Sequence, residues 1–285
     1  MWIITNITAI SKNLKRIRFG SGVRNKLKLF GIAVLQLIPK TVRRAFDLET
    51  NIEEIMEKLW RETIIQTEGI KYALVDQESL EIVSNSEDFM SMWLKPKKGE
   101  VLLDIGAHIG KYALGMARIV GDNGIVLAIE PNPANYQALR KNIQLNNLKN
   151  VIALNLAAWE SDCTLELFTG HLAGHHSTKI NWKLGANKVK ARAMDNVLNE
   201  NEAKKMDWIK IDVEGAEWEV LRGLRETIDE KRPRIVAEVS YENIDRIKEF
   251  MEERGYGLIK ITPLFEGIIY GVFRKLAYFF FLPYA

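Results

Sequence analysis

With 285 residues, 47% of them apolar, the chain can bury one substantial core, and its single cysteine, Cys163, excludes an intramolecular disulfide and any cysteine-rich zinc or iron–sulfur site. A reducing, cytoplasmic setting fits that usage. The net charge of +3 is unevenly spread: residues 1–46 hold ten Lys or Arg and no Asp or Glu, which leaves the remainder about seven units negative. This describes a basic arm suited to an anionic surface, lipid or nucleic acid, on a mildly acidic body.

Residues 1–69 read as a basic helical extension. Leu27, Phe30, Val34, Leu37 and Ile38 recur at helical spacing, flanked by Arg24, Lys26, Lys28, Lys40, Arg43 and Arg44. Packing of that stripe on the body is the plainer reading, and docking on an anionic membrane surface is the alternative. The apolar run at 29–39 is too short to span a bilayer, and the aromatic run at 267–285 carries Arg274 and Lys275 in its middle. The first residues lack the ordered regions of a signal peptide.

From residue 70 to 285 the pattern becomes short apolar strands alternating with amphipathic helices, the signature of an α/β domain. Strands are predicted at 72–75, 80–83, 101–105, 125–129, 151–156, 208–213 and 235–239. Helices are predicted at 111–120, 218–226 and 241–254, and another opens after Asn132, which caps it while Pro133 presets its first turn. The rhythm is that of a doubly wound sheet. No internal repeat or low-complexity linker marks a second catalytic domain.

The chemistry concentrates at strand ends. In Asp104-Ile105-Gly106-Ala107-His108-Ile109-Gly110 a strand runs into a loop that opens a helix. Gly106 and Gly110 remove the Cβ atoms that block close approach of a ligand, and the crevice beyond such strand ends is where these sheets bind ligands. A dinucleotide fingerprint has a glycine where Asp104 stands, and a carboxylate suits the cationic S-adenosylmethionine better than a pyrophosphate. Glu130 ends the next strand, 26 residues on, and an acid there can accept the ribose hydroxyls. Ala107 and His108 in the loop, and Pro131 and Asn132 after the acid, complete this set. Ala157 and Ala158 leave room for an adenine ring. Each signal alone also fits a plain turn or cap; their order together points to a nucleoside site.

A second cluster, Lys210-Ile211-Asp212-Val213-Glu214-Gly215-Ala216-Glu217, puts three carboxylates at the end of another buried strand. Alternation places Lys210 and Asp212 on one face, where the lysine can neutralise a neighbouring acid. Glu217 reads equally as a reactive group and as an acid suited to the first turn of a helix. His171, His175 and His176 form a Gly-containing loop with no metal-ligand spacing, even with Asp195, and no metal is expected.

With these motifs the chain resembles the FkbM family of methyltransferases: residues 103–110 match its cofactor loop, residues 129–133 its acidic turn, and residues 210–217 its K-I-D-x-E-G-x-E element. The resemblance runs over about residues 70–275. It implies a Rossmann-like methyltransferase fold with a mostly parallel sheet of about seven strands and helices on both faces. It also implies S-adenosylmethionine as donor and methylation of hydroxyl oxygens, on sugars, glycolipids or related metabolites. In methyl transfer, positioning of the acceptor supplies much of the rate, and a base removes its proton; Asp212 and Glu214 are the first candidates, with Lys210 and Glu217 beside them. A small-molecule or glycan acceptor is therefore expected. Two rivals stand beside it: an RNA or protein methyltransferase that uses the basic arm as a clamp, with nucleic acid the weaker partner, and a non-catalytic membrane-surface scaffold.

Overall fold

The computed structural model describes residues 15–38, 40–84, 89–169, 176–179, 185–201, 205–261, 265–269 and 272–284. The chain divides into two units, residues 1–85 and 86–285.

In the first unit α1 (Gly22–Leu37), α2 (Lys40–Ala45) and α3 (Glu49–Arg61) precede a hairpin of β1 (Ile64–Thr67) and β2 (Ile70–Ala73), then α4 (Gln77–Ser84). A domain boundary at 69/70 cuts this hairpin at its turn, so the first unit extends past the sequence-based limit. Residues 80–83, predicted as a strand, lie in α4. The cause is local: Asp76 Oδ1 accepts from the Ser79 N–H at 2.9 Å, and Ser79 Oγ accepts from the Asp76 N–H at 3.1 Å, which starts a helix that buries Leu80 and Val83. The buried face of α1 is Leu29, Ile32 and Ala33. Leu27, Phe30, Val34 and Leu37, the stripe predicted to pack, are exposed instead. Buried Arg43 holds the end of α1, donating to the carbonyls of Leu35 and Ile38 at 2.6 and 2.9 Å.

The second unit opens with α5 (Phe89–Trp93) and builds a Rossmann-like α/β sheet. Its elements are β3 (Val101–Ile105), α6 (Lys111–Val120), β4 (Ile125–Ile129), α7 (Pro133–Leu145), β5 (Val151–Leu154), β6 (Ala157–Trp159), β7 (Cys163–Phe168), β8 (Ala186–Ala193) and α8 (Met194–Glu200). There follow β9 (Trp208–Ile211), α9 (Glu217–Arg222), α10 (Arg225–Lys231), β10 (Arg234–Ser240), α11 (Ile244–Glu253), β11 (Tyr256–Lys260), β12 (Phe265–Ile269) and β13 (Val272–Pro283). The main sheet runs β11-β13-β10-β9-β3-β4-β5, parallel from β10 to β5, with antiparallel β13 between β10 and β11; β12 pairs with β13.

From β3 the chain steps one way to β4 and β5, then returns to the other side of β3 for β9 and β10. That reversal places a crevice beyond the carboxyl ends of β3 and β9, where open α/β sheets bind ligands. One face of the sheet carries Leu103, Ile105, Ile209, Ile211, Ala237 and Phe281, and the opposite face Leu102, Val126 and Val236, all of them fully buried. Helix 218–226 of the sequence reading is two helices, broken at Gly223, where an added Cβ meets the Trp159 carbonyl oxygen at 1.9 Å. The aromatic run at the end of the chain is β13, an inner strand; Phe279, Phe280 and Phe281 are buried in succession, so the period-2 alternation of a half-exposed strand is absent there. Among the described residues no helix is long and apolar enough to cross a membrane.

Candidate active site

The β3 loop is held by its own amides. Gly106 and Ala107 N–H donate to the Ile129 carbonyl at 3.0 and 2.9 Å, and Gly110 N–H to Ala107 at 2.8 Å. His108, with a left-handed φ of 52°, donates its N–H to Glu130 Oε2 at 2.8 Å. The amides of Gly106, Ala107, His108 and Gly110 are thus used inside the protein, whereas a dinucleotide loop turns such amides toward a pyrophosphate. The glycines serve packing more directly than ligand approach. A Cβ on Gly106, φ +77°, would lie 1.8 Å from the Asp212 carbonyl oxygen, and one on Gly110, φ +100°, 2.3 Å from Leu114 Cδ1.

Glu130 is buried and its second oxygen accepts from Asn132 N–H at 2.8 Å. Burial pushes its carboxyl up to about 7, against the pull of the Asn132 and His108 amides. Asn132 in turn caps α7 by accepting from Ala134 and Asn135 N–H, as its sequence position predicted. Asn155, which the sequence reading passed over, donates to the carbonyls of Glu130 and Pro131 at 2.8 and 3.0 Å and fixes the acidic turn. Ala157 and Ala158 do not lie at an open strand end. They belong to β6 of a separate three-stranded sheet, β6-β8-β7, and both are buried.

Asp104 meets a cation of the protein itself. Its carboxylate and Lys210 are both fully buried, 3.2 Å apart, and Lys210 Nζ also lies 3.5 Å from Asp212 and donates to the Gly106 carbonyl at 2.9 Å. Burial acts to lower the lysine's pKa, but Asp104 and Asp212 outweigh it and hold the ammonium protonated. The predicted shared face of Lys210 and Asp212 is thus a three-membered charge chain that ties β3 to β9.

Beyond β9 the chain makes a turn with two successive left-handed residues, Glu214 (φ 55°) and Gly215 (φ 104°). A non-glycine residue in that region costs about 1 to 3 kcal/mol unless its surroundings fix it. Here Ser177 Oγ donates to the Glu214 carbonyl at 2.7 Å, Asn243 Nδ2 to the Gly215 carbonyl at 3.1 Å, and Gly215 N–H to Glu217 Oε1 at 2.7 Å. Glu217 is the buried centre of that network. It also accepts from Asn243 Nδ2 at 2.5 Å, and burial pushes its carboxyl up to about 7. Of its two sequence readings the structure bears out the acid in the first turn of a helix, since Glu217 opens α9, and it adds a brace for the preceding turn. Lys179 adds a second tie from the same segment, pairing with Glu219 at 2.7 Å.

The turn brings together carboxylates that are distant in sequence. Oxygens of half-buried Asp212, Glu214 and Glu238 lie within 4.8 Å of one another. Tyr278 stands beside them, paired with Glu238 across β10 and β13; burial first, then Glu238, raises its phenol pKa. Of the histidine loop, His176 is described, whereas His171 and His175 lie outside the described residues. Asp195 is occupied elsewhere, accepting from the N–H groups of Glu226 and Thr227 at 2.9 Å each.

A family model described as "Methyltransferase FkbM domain" matches residues 104–258, which contain the arrangement just described apart from Tyr278. The chain belongs to the FkbM methyltransferase family. A second model, "Protein-L-isoaspartate(D-aspartate) O-methyltransferase (PCMT)", matches residues 35–161 of this FkbM methyltransferase. Among curated relatives, "Methyltransferase 1" of Beauveria bassiana is 27% identical, covering 57% of this chain and 74% of that protein. "Hexuronic acid methyltransferase AglP" of Haloferax volcanii is 29% identical over 45% of this chain and 51% of its own length. The crystal structure of a methyltransferase FkbM from Methylobacillus flagellatus superposes with a TM-score of 0.46 at 17% identity, over 97% of this chain and 59% of that one. The chain thus spans about half the length of the Haloferax relative.

Proposed function

We propose that this FkbM methyltransferase moves the methyl group of S-adenosylmethionine to a hydroxyl oxygen of a sugar-containing acceptor. The observation that carries the reading is the meeting of two halves at one switch point: the Asp104–Glu130 loop, with its amides spent and its acids retained, and the Asp212, Glu214 and Glu238 carboxylates beside it. The donor half suits a cationic, hydroxyl-bearing ligand, with Glu130 offering its remaining lone pairs to a ribose. S-adenosylmethionine, when bound, supplies an electrophilic methyl on a positively charged sulfur.

On the acceptor side, Asp212 and Glu214 hold the hydroxyl and take up its proton, while Lys210 fixes Asp212 through the 3.5 Å contact. Tyr278 and Glu238 line the same side and orient the acceptor. Three carboxylates in one group repel a phosphate-rich partner, which favours a sugar over RNA. The name of the Haloferax relative points the same way.

The test is radiolabelled methyl transfer to a panel of glycans and glycolipids, with donor binding measured by calorimetry. Asp212→Asn is expected to lower turnover by about 10²- to 10⁴-fold while donor affinity stays within about threefold. An Asp212→Asn protein as active as wild type overturns the assignment of the base, and tight NAD binding in place of the methyl donor overturns the cofactor.

A further inference from the structure

Among the described residues, the apolar stripe of α1 has no partner within the first unit. A helix needs one apolar face to pack, and α1 has two. Leu29, Ile32 and Ala33 fill the unit's core, while Val23, Leu27, Phe30, Val34 and Leu37 form a continuous row on another side, with Val23, Leu27 and Phe30 75%, 64% and 50% exposed. The row follows the i, i+4, i+7, i+11, i+14 spacing that keeps side chains aligned along a helix. Phe46, just past α2, adds a 71% exposed ring. Exposing so many large apolar groups in one row costs solubility unless something covers them.

The charge around the row chooses the cover. By helical rotation Arg24 and Lys26 flank it on opposite sides, and both are exposed. Residues 1–46 carry ten cationic side chains and no acid. A second copy of the same face would bring these cations against one another. A nucleic acid would meet the cations but gain nothing from a row of Val and Leu. An anionic bilayer satisfies both: headgroups meet the arginine and lysine side chains while the row enters the acyl boundary.

We propose that α1 is a membrane-surface helix, which docks the protein on an anionic lipid bilayer through Val23, Leu27, Phe30, Val34 and Leu37. The helix lies in the interface and does not cross it. The proposal is independent of the acceptor and of the donor.

Flotation of the full chain with vesicles tests it, using phosphatidylcholine alone and phosphatidylcholine mixed with phosphatidylglycerol. The wild-type chain is expected to float with the mixed vesicles and not with the neutral ones. L27E/F30E is expected to reduce flotation by about tenfold or more, even at low salt. R24E/K26E is expected to lose it progressively as salt is raised. Because all four positions are exposed, both variants should keep the wild-type melting temperature and circular dichroism spectrum.

Four outcomes overturn the proposal. These are flotation that L27E/F30E leaves unchanged, and binding that appears only after residues 1–14 are deleted, which makes that segment the occupant of the row. The others are a wild-type dimer that L27E/F30E converts to monomer without any vesicle binding, and salt-dependent RNA binding without vesicle binding.

Discussion

The two sides of the crevice are built on opposite principles. On the side proposed to hold the donor, Asp104 and Glu130 are buried, the first paired with Lys210 and the second accepting from the His108 and Asn132 amides. On the side proposed to hold the acceptor, Asp212, Glu214 and Glu238 stay half-buried with their carboxylates close together, beside a turn held in an unfavourable backbone conformation. A site that always takes the same ligand can be saturated with internal contacts and become rigid. A site that must move a proton keeps ionisable groups near water and near each other, and places its supports behind them.

That contrast is best broken where the two sides touch. Gly106→Ala introduces a Cβ 1.8 Å from the Asp212 carbonyl oxygen at a left-handed position. It should cost about 3 kcal/mol or more, with donor binding and turnover lost together, as thermal unfolding and calorimetry will show.

Next in size is Lys210→Met, which leaves Asp104 buried without its cation and should cost about 3 to 5 kcal/mol. The double variant Asp104→Asn with Lys210→Met should recover a large part of that stability and none of the activity. Recovery of neither would mean that the charge chain is not what joins β3 to β9.

Acidity sharpens the comparison from another direction. A carboxyl raised from 4.5 to about 7 on folding binds an extra proton between those values, so its contribution to stability is complete below about 4.5 and is lost as pH rises toward 7. Glu130 and Glu217 should each tilt stability downward across that window, by at most about 1.4 kcal/mol per pH unit. Denaturation with urea at several pH values should show the slope, and Glu217→Gln should remove about half of it. The smallest effect belongs to Ser177→Ala, which loses the hydrogen bond to the Glu214 carbonyl and the one accepted from Lys179 N–H: about 1 to 2 kcal/mol of stability, and a fall in kcat with donor affinity unchanged.

The donor side was legible in the sequence because its elements are local. Residues 101–105, 111–120 and 125–129 were read with the observed boundaries, and the Asn132–Pro133 cap follows from two adjacent residues. Lys210 as neutraliser was also readable, since alternation along one strand gives it. The brace around the turn was not, because Ser177 reaches Glu214 across 37 residues and Asn243 reaches Glu217 across 26. β13 was hidden by burial on both faces, and Tyr278 with it. The exposed row on α1 was read as a stripe, but periodicity alone does not say which of two apolar faces packs.

Ser177 reaches the turn after β9 and Lys179 reaches Glu219 of α9, whereas the Gly106 and Asp212 backbones set the distance between the two sides. On the proposed reading, specificity and chemistry are then separable parts. A graft of residues 162–190 from a relative that keeps a hydroxyl at the Ser177 position would exchange the acceptor and leave the methyl-transfer geometry as it is.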